Sequence, residues 1–362
     1  MQNQITPANF YIPFTDKIDL ACEDVGGRVI QASDDFFAEK ENLLKAEAPI
    51  FIADKYTERG KWMDGWESRR KRTPGHDHCI VRLGLPGRIH GFDIDTAFFT
   101  GNFPEYAAIE ALESNNPDAT AAELSKNETS WVTLVPKTRL QGGSHNIIPV
   151  TTGGENGSHA GRRFTHLRLR IYPDGGVARL RVFGDVMPDW KALQASKSPT
   201  SKSPIDVAAA ANGATVIASS DSYFGPKDNL IKPGRAKTMG GGWETRRRRG
   251  AGSDWIVVRL GCTSFIDKIE IDTHHFKGNF PDTCSMEACR FPERDLLPCD
   301  LRDRDDLKWT EILPRTKLAA DTAHAFEAGQ LKTTKEPVDY IRLNIFPDGG
   351  VSRLRIWGRP AQ

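Results

Sequence analysis

Leu167-Arg168-Leu169-Arg170-Ile171-Tyr172-Pro173-Asp174-Gly175-Gly176-Val177 decides the fold, and it returns as Ile341-Arg342-Leu343-Asn344-Ile345-Phe346-Pro347-Asp348-Gly349-Gly350-Val351. Leu167, Leu169 and Ile171 alternate with Arg168 and Arg170, the period of a half-buried strand. Pro-Asp-Gly-Gly then supplies a preset φ and glycines free to take positive φ, so the chain reverses. The return strand runs through Val177, Leu180, Val182 and Phe183. Each copy therefore ends in a β-hairpin.

The repetition extends outward from that hairpin. Gly65-Trp66-Glu67-Ser68-Arg69-Arg70 matches Gly242-Trp243-Glu244-Thr245-Arg246-Arg247, and Gly101-Asn102-Phe103-Pro104 matches Gly278-Asn279-Phe280-Pro281. Between them Ile94-Asp95-Thr96 matches Ile271-Asp272-Thr273 at the same offset. The openings match too, Val29-Ile30 through Phe36-Phe37 against Val216-Ile217 through Tyr223-Phe224. So long a period excludes a solenoid and makes each copy a domain. The expected boundaries are 1–190 for the first repeat, 191–204 for a linker rich in Ser, Lys and Pro, and 205–362 for the second.

Short β-like runs at 79–83, 91–96, 131–134, 255–260 and 265–272, separated by Gly, Pro, Asn and Asp, predict an all-β chain of two tandem sandwiches or jelly rolls. Short helices are expected around 104–112 and 119–124. A chain of 362 residues, 38% hydrophobic, suits two domains with proper cores. Its 49 basic and 48 acidic residues leave a net charge of +1, so no global field favours nucleic acid or a membrane surface. The N-terminal residues lack a secretory pattern, no apolar run approaches a membrane span, and a cytoplasmic location is expected. Six cysteines at non-equivalent places in the copies read as reduced thiols. Cys284 and Cys289, with no second close pair, read as loop and core cysteines rather than zinc ligands.

Gly-Trp-Glu-(Ser/Thr)-Arg-Arg places an aromatic ring, a carboxylate and two guanidiniums within six positions, a set suited to a small anionic, hydrogen-bonding ligand. The same residues also suit a Glu-Arg network bracing a loop around a core tryptophan. Asp93 and Asp95, like Glu270 and Asp272, should share the polar face of a strand, with Asp95 and Asp272 the better candidates because each precedes a turn. Asn102 and Asn279 sit in Gly-Asn turns, where asparagine often serves left-handed geometry. The copies differ at Ala97-Phe98-Phe99-Thr100 against His274-His275-Phe276-Lys277. The second gains two imidazoles and an ammonium, so chemistry is expected to be asymmetric. On a strand, His274 and His275 would point to opposite sides and could not chelate one metal. Gly240-Gly241-Gly242 lacks the lysine and helix of a phosphate loop.

Taken together and in fixed order twice, these motifs resemble the allantoicase family, and the resemblance spans nearly the whole chain. It implies two galactose-binding-like jelly rolls and hydrolysis of allantoate to ureidoglycolate and urea in purine degradation. Under it, Arg246 or Arg247 would bind the substrate carboxylate, with Lys277 beside them. Glu244 and Asn279 would orient ureido groups, and His275 with Asp272 would carry protons. Glu67, Arg69, Arg70, Asp95 and Asn102 would form the equivalent set in the first repeat, as a second or shared site or as a degenerate support. No cofactor and no metal ligand are expected; a divalent metal requirement and homo-oligomerisation stay open. The competing reading is a non-catalytic carbohydrate-binding sandwich whose tryptophans stack on sugar rings.

Overall fold

The structure, a computed structural model, describes residues 14–116, 118–126, 130–150, 161–190, 193, 204–291, 296, 301, 307–332, 334 and 336–361. The chain divides into two compact units, 1–185 and 186–362. Of the expected linker 191–204, all but Leu193 and Pro204 lie outside the described residues.

The first unit is built from β1 (Ile18–Asp19), β2 (Arg28–Ala32), β3 (Tyr56–Thr57), β4 (Gly60–Lys61), β5 (Trp66–Glu67), β6 (Asp77–Asp95), β7 (Tyr106–Leu112), β8 (Val132–Arg139), β9 (His145–Pro149), β10 (Phe164–Tyr172), β11 (Gly176–Val177) and β12 (Arg179–Val186). The second contains β13 (Ile205–Asp206), β14 (Thr215–Ser219), β15 (Trp243–Glu244), β16 (Asp254–Asp272), β17 (Thr283–Cys289), β18 (Thr310–Lys317), β19 (Ala323–Phe326), β20 (Val338–Phe346), β21 (Gly350–Val351) and β22 (Arg353–Pro360). Strand order is β1-β12-β6-β10-β7-β8 in one unit and β13-β22-β16-β20-β17-β18 in the other, with β2 and β9 also on β6 and β14 and β19 also on β16. The two jelly rolls repeat one topology.

One long strand joins the layers of each unit. The first part of β16 lies between β14 and β20, through pairs such as Val258 with Val216 and Ile341. Past a break in register its last part lies between β19 and β22, where Ile271 faces His324 and Leu354. The expected separate runs 255–260 and 265–272 are thus one strand, as are 79–83 and all but the last residue of 91–96 within β6. A glycine marks the crossover. A Cβ at Gly261 would lie 1.9 Å from the Asn212 carbonyl oxygen, and one at Gly84 would lie 2.4 Å from that of Val25.

The expected helix around 104–112 is instead β7. Its Ala-rich sequence favours helix, but Ala107, Ile109 and Ala111 are fully buried between β10 and β8, and that burial outweighs local propensity. The helix expected near 119–124 is present as α1 (Ala121–Ser125), held by a Thr120–Glu123 capping box. In the hairpins Leu167, Leu169 and Ile171 are fully buried, and Gly175 and Gly349 take φ of 136° and 139°. Among the described residues no helix is long and apolar enough to cross a membrane, and five cysteines are free, with Cys284 and Cys289 buried on one strand.

Paired arginines on the last strand of each unit hold the loop that precedes the Gly-Trp-Glu segment. Arg179 is 1% exposed and ion-pairs with Asp64 at 2.7 Å while donating to the Glu47 and Asp64 carbonyls. Arg353 instead donates to the carbonyls of Gly234, Gly241 and Ser352. Removing one partner of a buried ion pair leaves an uncompensated charge. Asp64→Asn is therefore expected to cost about 3 kcal/mol in urea unfolding, with amide exchange accelerated in the first repeat and not the second. A loss below about 0.5 kcal/mol, the size of an ordinary surface effect, would contradict this account.

Candidate functional site

Trp243 and Trp66 are fully buried, and their indole N–H groups donate to the backbone carbonyls of Asp221 and Asp34, each at 2.8 Å. They are core anchors, which removes them as platforms for a sugar ring. The next residue in each case is the glutamate, turned the other way by strand alternation. Asn279 Nδ2 donates to Glu244 Oε1 at 2.5 Å, and Asn102 Nδ2 donates to Glu67 Oε1 at 2.6 Å. The structure thus joins two residues that lie 35 positions apart, in both repeats.

The asparagines are placed by backbone. Gly350 N–H donates to the Asn279 carbonyl at 2.8 Å, and Gly176 N–H to that of Asn102 at 2.8 Å. No side chain fits there, because a Cβ at Gly350 would lie 1.9 Å from the Phe276 ring and one at Gly176 2.0 Å from Phe99. The left-handed residues of these loops are not the asparagines but Phe98 and His275, with φ of 68° and 71°.

Two of the four candidate arginines are already engaged. Arg246 donates its backbone N–H and its Nε to Asp221, both at 2.9 Å, and lies over the Tyr223 ring; Arg69 does the same with Asp34 at 2.9 and 2.7 Å, over Phe36. Burial alone would raise these two carboxyls, but the arginine hydrogen bonds outweigh it and hold both below the ordinary carboxylate range. Arg70, Arg247 and Lys277 are exposed.

His274 and His275 do not diverge along a strand. They follow β16 in a loop with ring centroids 3.8 Å apart. His275 Nε2 lies 3.0 Å from the Ala236 carbonyl, so that nitrogen carries the hydrogen and Nδ1 keeps a lone pair. Asp321, itself left-handed at φ 48°, binds both residues: its Oδ1 accepts the His275 backbone N–H at 2.8 Å and faces His274 Nδ1 at 2.9 Å. Asp272 is not hydrogen-bonded to His275. Its Oδ1 accepts the His274 backbone N–H at 2.9 Å and its Oδ2 stands 3.4 Å from Arg235 Nε. Asp321, Arg235 and the Ala236 carbonyl were not legible as site groups, since no local motif marks them.

The first repeat carries the same frame with other side chains. Phe98 replaces His275 and stacks on Phe51, from a longer preceding loop that includes β3 and β4 and bounds a cleft of about 550 Å³ lined in part by Phe37, Arg59 and Trp62. Asp93 and Asp95 are buried rather than on an open polar face, and His145 Nδ1 reaches Asp93 at 2.7 Å. Among the described residues no three His, Cys, Asp or Glu side chains are grouped to hold a metal.

A family model described as "Allantoicase repeat" matches residues 18–187 and again 205–361. "Probable allantoicase 2" of Burkholderia pseudomallei (strain K96243) is 45% identical over 347 residues, covering 95% of each chain. "Allantoicase" of Dictyostelium discoideum is 44% identical over 339 residues, covering 93% of this chain and 86% of that one. The crystal structure of allantoicase from Saccharomyces cerevisiae superposes with a TM-score of 0.76 at 36% identity, over 94% of this chain and 92% of that one.

Glu67 gives a test of the site's electrostatics. Burial raises its carboxyl above the ordinary glutamate value, with the Asn102 hydrogen bond acting the other way. A raised acid disfavours the folded state once it ionises, so the penalty is absent below the unfolded pKa and complete above the folded one. Glu67→Gln, which preserves the acceptor for Asn102, should gain stability relative to the parent as pH rises through that window. Urea midpoints measured across it would show the opposite slope if burial were not the dominant cause.

Proposed function

This chain belongs to the allantoicase family and hydrolyses allantoate to ureidoglycolate and urea in purine degradation; we propose that the second repeat carries the reaction. Membership of that family also sets aside the non-catalytic carbohydrate-binding reading. The observation that carries the proposal is the Glu244–Asn279 hydrogen bond in the same loop frame as His275, whose counterpart in the first repeat is Phe98.

Allantoate bears a carboxylate and two ureido arms on one carbon. Hydrolysis breaks one C–N bond at that carbon, with the electron pair leaving on nitrogen, and forms a C–O bond from water. Water must lose a proton and the departing nitrogen must gain one. Because Asn279 Nδ2 donates to Glu244 Oε1, Glu244 Oε2 and Asn279 Oδ1 offer acceptors to the N–H groups of a ureido arm. Arg247 and Lys277, both exposed, supply the positive charge for the carboxylate, since Arg246 is tied to Asp221.

His275 is the proton carrier in this scheme. With Nε2–H fixed on the Ala236 carbonyl, Nδ1 takes the proton of the attacking water, and the imidazolium returns it to the nitrogen that leaves as urea. Atoms and charge then balance, and the residue ends as it began. Asp321 and Asp272 act as positioning residues that hold the two histidines by backbone and ring contacts. The first repeat, with Phe98 where the imidazole stands, offers the carboxylate–carboxamide pair without the proton carrier at that position.

Urea release from allantoate tests this division. His275→Ala should lower kcat by roughly 10²- to 10⁴-fold, the range of general acid–base catalysis. Glu244→Gln should abolish turnover, while Glu67→Gln leaves kcat and KM unchanged. Equal losses from the two glutamine variants would put chemistry in both repeats and overturn the assignment.

A further inference from the structure

Beside the Asp34–Arg69 pair the first repeat holds a separate cleft of about 400 Å³, lined by Ser33, Arg70, Lys71, Arg72, His76 and His78, together with Asp34 and Asp77. Its two carboxylates are occupied. Asp34 takes Arg69, and Asp77 Oδ1 accepts from Lys71 Nζ and from Ser33 Oγ, each at 2.8 Å. Arg70 and Arg72 form no ion pair among the described residues, and both are exposed at the cleft. The His76 and His78 rings stand 6.2 Å apart, with His76 also 5.1 Å from the Tyr172 ring.

Basic side chains outnumber acidic ones in the lining, with Arg69, Arg70, Lys71 and Arg72 against Asp34 and Asp77. Both imidazoles lie below the ordinary histidine value, first through partial burial; Arg170, Lys71 and Arg168 then act on His76, and His76, Arg168 and Arg170 on His78, while Asp77 opposes this in both cases. A protein of net charge +1 has no global excess to explain such a cluster. It is local and built.

The second repeat serves as an internal control. Its Ser220–Asp254–Arg248 bridge reproduces Ser33–Asp77–Lys71, and Trp255 N–H donates to Ser220 Oγ as His78 N–H donates to Ser33 Oγ. On that conserved frame, however, Ser253 stands for His76, Trp255 for His78, Asn344 for Arg170 and Phe346 for Tyr172. Arg70 and Arg72 keep counterparts in Arg247 and Arg249, so what the first repeat adds on this frame is the pair of imidazoles and Arg170.

We propose that this cleft is a binding site for a compact, multiply charged oxyanion of the phosphate or pyrophosphate class, distinct from the hydrolytic site. Two guanidiniums with rigid donor forks, flanked by two imidazoles that become donors on protonation, offer more positive hydrogen bonds than a single carboxylate accepts. A bound dianion or trianion would also offset the guanidinium charge that adds to burial in lowering both imidazoles. The interaction lies close to the surface and weakens with salt.

Inorganic pyrophosphate and ureidoglycolate, titrated separately into the full-length protein at low salt, distinguish the sources of such an anion. Calorimetry and the imidazole NMR signals of His76 and His78 report binding, with urea release from allantoate measured in parallel. Pyrophosphate should bind one site per chain with Kd below about 1 mM and shift both histidine signals. The combined Arg72→Gln and His76→Ser variant, checked for folding by circular dichroism, should bind at least tenfold more weakly with hydrolysis unchanged. No pyrophosphate binding to the parent overturns the proposal, as does undiminished binding to the folded variant. Displacement of the histidine signals by ureidoglycolate alone overturns it too, by making the cleft part of the hydrolytic site.

Discussion

A backbone hydrogen bond from Gly350 to the Asn279 carbonyl, repeated from Gly176 to Asn102, is the contact through which each fold positions its site. It forms only because the turn residue has no side chain, since the ring of Phe276 or Phe99 fills the space a Cβ would need. The hairpin that completes the sheet therefore also sets the height of the asparagine. From there the carboxamide reaches the glutamate that follows a buried tryptophan. Core packing and site geometry are the same constraint seen from two ends.

Duplication separates what this frame demands from what the second repeat adds. The φ of 71° at His275 is not strain stored for catalysis, because Phe98 adopts φ 68° at the matching place with no titratable group. The left-handed turn belongs to the frame. What is particular to the second repeat is the imidazole, the Asp321 carboxylate beneath the loop, and the Ala236 carbonyl that fixes its tautomer. The Asp–Arg pairs at Asp34 and Asp221 likewise occur in both copies and brace the loop, while the second arginine of each Arg-Arg pair is exposed.

The readable part of the chain was the part governed by neighbours in sequence. Alternation in 167–171, the Pro-Asp-Gly-Gly reversal and the Glu and Asn positions follow from short-range pattern that duplication amplified, whereas His274 and His275 stand out because the copies differ there. The β7 strand was misread because its alanines favour helix locally while its partners lie on β10 and β8. Asp321 is not legible in the sequence because it sits 46 residues from His275 in a loop with no motif, whereas local pattern offers Asp272 as the partner. Short separation along a chain does not rank the distances in a fold.

The reach of that long-range order is clearest in the arginines of the last strand. Arg353 and Arg355 donate to the carbonyls of Lys232, Gly234 and Gly241, and so hold the loop whose Ala236 carbonyl orients His275 and whose Met239 sulfur stands 3.5 Å from Asn279 Nδ2. Arg179 and Arg181 hold the longer loop of the first repeat through Lys45, Ala46, Glu47 and Asp64, and there the loop presents Phe51 to Phe98. Guanidiniums suit this task because five fixed donors satisfy several carbonyls at once without becoming neutral. One bracing device thus presents an imidazole with a defined lone pair in one repeat and a stacked phenyl ring in the other. The difference between the repeats lies in which side chain the loop meets.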